Sequence, residues 1–492
     1  MKNVFFLLFG LLISINANSQ NNILQYQLDF TKQHQNLLHI KSNLDLTQAK
    51  NRFFMITHGS EKNPEGEAKF IKNLTVKNTK GQKQEIKYLG EGTWEVQSKT
   101  SGIFNVDYDI ALEHNTENWD HCGGVDEVAY KTPEGLFFTG YSLFMAPDVA
   151  SLGDFKNVTV AFTLPKNWKA STPWIKTPKR NHFIVNDDLR FLLNNCIFVG
   201  THHEKEIKIG DFELLFALGK TMQPSEKDFI ELMQPIIEST TKVFKGSPKK
   251  KYLIVVNENN VMTDGGAFRN SFSQIIKGKV NKNSRTNWGH IMAHETIHLW
   301  NGHTLTPKEQ EEWFKEGFTD YLTNILLTRN KIIDEATFYK RFENVITKYN
   351  IARDLMQNKT SIQQSGNNKD QNRYLVYGGG ELVALGLDIE IRKATNNQKN
   401  LDDLFAMMYE EFGKTNIRYE LKDIIVISNK VSGKNLQWFF DDYVTGIKRI
   451  PVVEYLAEMG LQLDGYLEDV YITPTENPSY QQLQFKKGIL GI

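Results

Sequence analysis

Residues 290–300 read HIMAHETIHLW. On a helix His294 and His298 lie one turn apart on one face, where both imidazoles reach a single zinc ion. Glu295 sits on the same turn, suited to activate a water at the metal and carry its proton. Ile291, Ile297, Leu299 and Trp300 bury the rest of the helix. Further on, WFKEGFTDYL places Glu316 on a second acidic helix, after a loop containing Pro307. Its carboxylate supplies the third ligand and leaves the fourth position open, the pattern of a catalytic rather than a structural site. Asp320, one turn beyond Glu316, is placed to accept the distal N–H of His294 or His298 and fix the ring. His290 and His303 flank the motif and read as pocket or surface residues. The zincin pattern with a third histidine after a Gly turn is not matched.

Outward from this motif the chain divides in two. Before it, LLHIKSNLDL, GTWEVQSK, FNVDYDIALE, VTVAFTL and FELLFALG alternate with period two between Gly, Asn, Asp and Pro, which argues antiparallel sheet. After Pro224 the spacing turns helical, with the strand KYLIVVNENN as an exception. The fold class expected is a multidomain α+β protein, with an N-terminal antiparallel β-rich module, a mainly helical zinc domain and a helical C-terminal part. The boundaries read as 1–19 for a secretory signal, 20–222 for the β-rich domain, 223–430 for the catalytic domain and 431–492 for a helical segment with a short β-like tail. A polar insert, NKTSIQQSGNNKDQNR, reads as a mobile surface loop.

Composition narrows the function by exclusion. The 492 residues carry 58 Lys+Arg against 58 Asp+Glu, which argues against a globally basic nucleic-acid binder. Met-Lys-Asn, the apolar run Val4–Ile15 and Ala17-Asn18-Ser19 read as an export signal, so a periplasmic or extracellular location is expected, with no membrane span after its removal. Cys122 and Cys196 are either a disulfide or two buried thiols, and the inferred metal needs neither.

Attack on a peptide carbonyl creates an oxyanion, for which a side-chain donor is expected beside the metal. Tyr374 and Tyr377 in YLVYGGGELVALGLDIEIR are the candidates, and a structural role fits either as well. Gly378-Gly379-Gly380 lets backbone approach a site closely.

HETIHLWN, WFKEGFTDY, YGGGELVALGLDIEIR and LDDLFAMMYEEFG, in this order, resemble the M61 peptidases, the glycyl aminopeptidase-like family of gluzincin zinc metallopeptidases. GTWEVQSK, FLLNNCIFVG and KIGDFELLFALG carry the resemblance more faintly into the β module. It implies a thermolysin-like catalytic domain binding one Zn2+ ion through His294, His298 and Glu316, with Glu295 as general base. The Tyr of the family's Tyr-x-x-Gly segment falls on Tyr377, leaving Tyr374 as a core residue. The family's Gly-Gly-Leu-Glu-His segment appears as Gly265-Gly266-Ala267-Phe268-Arg269, an edge strand expected to hold extended substrate through its backbone. Phe268 replaces the acid that would grip a free amino terminus. The family's basic segment after Trp-Asn is replaced by NGHTLTP, and the residues after the helical segment are too few for the PDZ-like module of many members.

The expected partner is a peptide or protein substrate, with no nucleic acid, and the sequence leaves the oligomeric state open. The expected activity is zinc-dependent peptide hydrolysis, aminopeptidase-like with altered amino-terminus recognition. An endopeptidase on the same zinc, recognition of another end of the peptide, hydrolysis of a non-peptide bond and a catalytically weak binding homologue are the alternatives.

Overall fold

Alternation builds the first half. In Leu37–Asp45 and Ile103–Ala111 every second side chain is buried, and the two strands pair antiparallel from Leu37↔Ala111 to Asp45↔Ile103. They form the middle of an eight-stranded sheet, antiparallel except where Gln25–Asp29 runs parallel to Thr159–Thr163. Two four-stranded sheets complete the module. The structure, a computed structural model, describes residues 24–31, 36–57, 64–112, 129–185, 187–308, 311–357, 359–466 and 469–492. The segment read as a signal and Cys122, with the alternative of a disulfide to Cys196, lie outside these residues. Cys196 is buried, and burial pushes its thiol up to about 12.

The second half rests on a five-stranded sheet ordered His203–Ile209, Phe212–Leu218, Lys251–Glu258, Ser271–Ile276 and Asp264–Ala267. Its first hairpin falls before the boundary expected at 222. Leu214–Leu218 nevertheless pair parallel with Tyr252–Val256, so the structural border lies just before His203. An alternating hairpin looks the same in either domain, and pairing with a distant strand decides where it belongs. The C-terminal residues add no separate body either. Phe439, Phe440, Tyr455, Leu456, Ile489 and Leu490 pack into the same core as the catalytic helices.

The tail from Asp464 is β-like only as far as the hairpin Leu461–Tyr466/Asp469–Pro474. The helix Tyr480–Leu490 follows, started by Ser479 and Gln482 capping one another and ended at Gly491 with φ of +75°. The polar insert is likewise not a loose loop. Ser361 caps a short helix, Ile362 is buried against Gly379, and the segment folds over the catalytic helices. One buried anchor in a polar run is a weak sequence signal.

The two halves meet in a shared apolar cluster. Phe137, Tyr141 and Phe198 from the β module pack with Leu253, Val255 and Phe268 of the second domain. Each such side chain contributes about 1.5–3 kcal/mol when fully buried, so this junction is firmly held. Among the described residues, no helix is long and apolar enough to cross a membrane.

Candidate metal centre

The motif helix, Arg285–Ile297, presses Trp288, Met292, Ala293 and Ile297 into the core and turns His294 and His298 to the opposite side. The chain then reverses, with His303 N–H donating to the His298 carbonyl and Leu305 N–H to Trp300. Glu316 arrives on a π-helical turn, Trp313–Gly317, that leads into the helix Phe318–Arg329. Tyr377 sits on a second π-turn, Tyr374–Gly379, ahead of the helix Gly380–Ala394. Such turns re-aim side chains and recur at functional sites. The two cross at a pair of glycines: a Cβ on Gly317 would lie 2.4 Å from Gly380, and one on Gly380 2.5 Å from the Trp313 carbonyl. No larger residue leaves room for that crossing, which brings Glu316 and Tyr377 to one site.

Three donors converge there. His294 Nε2 and His298 Nε2 are 3.0 Å apart, and Glu316 Oε2 is 3.4 Å and 3.2 Å from them. All three residues are buried. Zinc bonded at about 2.0–2.1 Å in tetrahedral geometry separates its ligand atoms by roughly 3.3 Å. The donor set therefore fits zinc in both chemistry and spacing. His298 Nδ1–H donates to the Asn301 carbonyl at 2.8 Å, which leaves the Nε2 lone pair for the metal. Asp320 Oδ1 lies 2.7 Å from His294 Nδ1, so the ring it fixes is that of His294.

The acids around the three donors favour a cation among them. Burial opposes ionisation of Glu316, yet His298, His294 and Lys315 outweigh it and hold its carboxyl well below the usual range. Burial likewise opposes the charged form of His294, and Asp320, Glu316 and Glu295 reverse this. Glu295 is pushed upward, mainly by burial. Burial and the Glu316 charge raise Tyr377, which stays a protonated donor. Its ring centroid is 6.4 Å from that of His294.

The other expected residues divide. Asp264–Ala267, with Gly265, Gly266 and Ala267, is the edge of the sheet and lies against the motif helix, where a Cβ on Gly265 would be 2.8 Å from Ile291. Phe268 turns away from the metal and packs on Tyr141, ring centroids 6.5 Å apart. Arg269 turns outward beside Phe191, its guanidinium 5.0 Å from that ring. Tyr374, expected in the core, is exposed, because the π-turn rotates it out while keeping Tyr377 in. His290 bonds Asp320 at 3.2 Å and Arg341 at 2.6 Å, and His303 is half-buried beyond His298.

Two residues escaped sequence reasoning. Asn301 Nδ2 donates to the Phe314 carbonyl at 3.0 Å and to Thr319 Oγ1 at 3.1 Å, tying the motif segment to the Glu316 turn. Lys369, from the polar insert, places Nζ 2.6 Å from Glu316 Oε1 and 5.3 Å from the Tyr377 ring. Its signal was a lysine in a segment read as loop, which carries no spacing rule. Asn301 directly follows HLW in HETIHLWN, and a polar residue at the end of a metal-binding helix was a usable hint.

Comparison with known proteins adds the family. The model of the peptidase M61 N-terminal domain matches residues 25–196, and that of M61 glycyl aminopeptidase matches residues 287–403. In structure the chain is similar to an aminopeptidase N family protein from Idiomarina loihiensis, with a TM-score of 0.76 and 21% identity over 90% of this chain and 80% of that one. It is also similar to an M1 zinc metallopeptidase from Deinococcus radiodurans, with a TM-score of 0.56 and 12% identity over 88% of this chain and 95% of that one. A mutant of that enzyme bound to a Tyr-Ser-Ala substrate matches over the same shares, at a TM-score of 0.54 and 12% identity. No curated protein matches the sequence. At these identities the structural likeness is one of fold.

Proposed function

The chain belongs to the M61 peptidase family, and from that premise we propose that it hydrolyses peptide bonds at one zinc ion held by His294, His298 and Glu316. The observation that carries the proposal is the convergence of these three buried donors beside Glu295 and Tyr377. Zinc bound there supplies a Lewis acid for the scissile carbonyl and makes water acidic enough to attack near neutral pH.

The chain's own residues do the rest. Glu295 takes the proton from the attacking water and returns it to the leaving amine. The Tyr377 hydroxyl donates a hydrogen bond to the oxyanion. Asp320 and the Asn301 carbonyl hold the two imidazoles, and Lys369 holds the outer oxygen of Glu316. No covalent enzyme intermediate is needed. Extended substrate pairs with the edge strand at Gly265–Ala267.

Amino-terminus recognition is altered from the family pattern, since Phe268 offers no charge and faces the β module. That burial also favours a second reading, cleavage at internal bonds by the same site. The apolar N-terminal run supports export to the periplasm or beyond. The test is hydrolysis of a broad peptide library by the native chain and by Glu295→Gln. Cleavage that needs Glu295 is expected, and zinc-loaded protein without it would overturn the proposal. N-blocked peptides in the same library separate the two readings: their cleavage at internal bonds excludes a strict aminopeptidase.

A further inference from the structure

Beyond the metal centre a cavity of about 820 Å³ opens where the two halves of the chain meet. Six cationic side chains line it, Lys156, Arg190, Lys249, Arg269, Lys414 and Arg418, against the acids Asp187 and Asp188. Those two acids are already shared among three of the cations. Asp188 takes Arg190 at 2.6 Å and Lys156 at 4.0 Å, and Asp187 takes Lys249 at 2.7 Å. Lys414 pairs with Glu410 outside the cavity, and Arg418 donates to the Pro307 and Lys308 carbonyls at 2.8 Å and 3.0 Å.

Arg269 has no carboxylate within ion-pair distance among the described residues, and its guanidinium and Lys249 Nζ both lie on the Phe191 ring, at 5.0 Å and 4.1 Å. Burial and the Arg190 charge both work against its positive charge, and the more distant Asp188 and Asp187 offset them only in part. A cation held half-buried beside other cations costs free energy unless an anion joins it.

The position of Arg269 is fixed and meaningful. The turn carrying it is pinned to the β module, with Arg269 N–H donating to Asn194 Oδ1 at 3.2 Å and Asn270 N–H to Asn195 Oδ1 at 3.0 Å. It follows the last residue of the edge strand by two positions, a separation of at most about 7 Å along the chain. His303, which interacts with the Ala267 backbone and with His298, lines the same cavity. A peptide laid along Gly265–Ala267 therefore ends within reach of it.

We infer that this cavity receives a carboxylate of the bound peptide, gripped by Arg269, so that substrates are selected for a negative charge at the end of the edge strand. This rests on the peptidase reading and sharpens it: the segment lacking an acid for an amine carries a cation for an acid. The carboxylate is either the peptide's own C-terminus or an acidic side chain.

The test is calorimetric titration of zinc-loaded Glu295→Gln, which binds peptide without turnover, with Ala-Ala-Ala, its C-terminal amide, and Ala-Ala-Glu as the C-terminal amide. At least one carboxylate-bearing peptide is expected to bind about tenfold more tightly than the Ala-Ala-Ala amide, the scale of a charge-assisted bond. Which of the two does so identifies the source of the charge. Adding Arg269→Gln should close the gap to less than about twofold, and Arg269→Lys should restore part of it, which separates lost charge from lost folding. Equal binding of acids and amide, a gap that survives Arg269→Gln, or no binding of either acid would overturn the inference. Native turnover of all three peptides is measured alongside. Cleavage without an acid–amide gap removes the cavity's role and leaves the peptidase, whereas a gap without cleavage of any of the peptides does the reverse.

Discussion

Two charged regions flank the segment from His298 to His303, and they are opposite in sign. On the metal side Glu295, Glu316 and Asp320 crowd two imidazoles, and Lys369 and Lys315, shared with Glu312, reach the outer oxygen of Glu316. On the far side six cations line a cavity with two acids. Buried charge of one sign costs stability, since desolvation and mutual repulsion both oppose it. A pole of each sign next to an edge strand is better understood as two ends of a ligand site. One end is built for a cation and a scissile bond, the other for an anion.

The contrast can be broken at either pole. Tyr377→Phe removes the donor to the oxyanion and nothing from the donor set, so kcat should fall about 10²- to 10³-fold with zinc content unchanged. Loss of zinc in that variant, or retention of full turnover, would place Tyr377 in packing instead.

Acid should act on stability through a residue of neither pole, His202, buried beside Ser171 and Phe198. Burial lowers His202 to about 3, while the unfolded chain titrates near 6.5. Below 6.5 the unfolded state binds the extra proton first. Stability is therefore intact above pH 6.5 and falls as pH drops, by about 3 kcal/mol at pH 4. Chemical unfolding of metal-free protein should show this slope, and His202→Gln should flatten it. A slope unchanged in the variant would assign the acid sensitivity elsewhere.

Asn301→Ala cuts the ties between the motif segment and the Glu316 turn, leaving the Asn301 carbonyl in place. Zinc affinity measured against a competing chelator should weaken by about 10- to 100-fold. The smallest effect is expected for Lys369→Met, about tenfold in the same measurement, because the outer oxygen of Glu316 loses its nearer partner but keeps Lys315 at 3.3 Å, and the inner oxygen stays aimed. An Asn301 effect smaller than that of Lys369 would reverse the ranking of helix registration over charge.

What the sequence made legible was local. His294, Glu295 and His298 share a turn, Glu316 and Asp320 share another, and period 3.6 places such residues without any knowledge of the fold. The close approach allowed by the glycines before Glu381 was readable as a backbone property, and the Gly265–Ala267 edge strand only through the family resemblance. The rest depended on contacts between distant segments. Phe268 is a core residue because the β module covers it, and Lys369 is a site residue because Ile362 anchors the insert beneath it. Tyr374 is exposed because the helix is π-wound at that point, and no periodicity announces an extra residue in a turn. The hairpin at His203–Leu218 changed domains on the pairing of one strand.

The most direct measurement is metal content joined to activity. Purified chain should hold one zinc ion, lose peptide cleavage on chelation and regain it with one equivalent of zinc, while a His294→Ala/His298→Ala chain should hold none and cleave nothing. Cleavage that survives chelation, or zinc retained by the double variant, would contradict the site described.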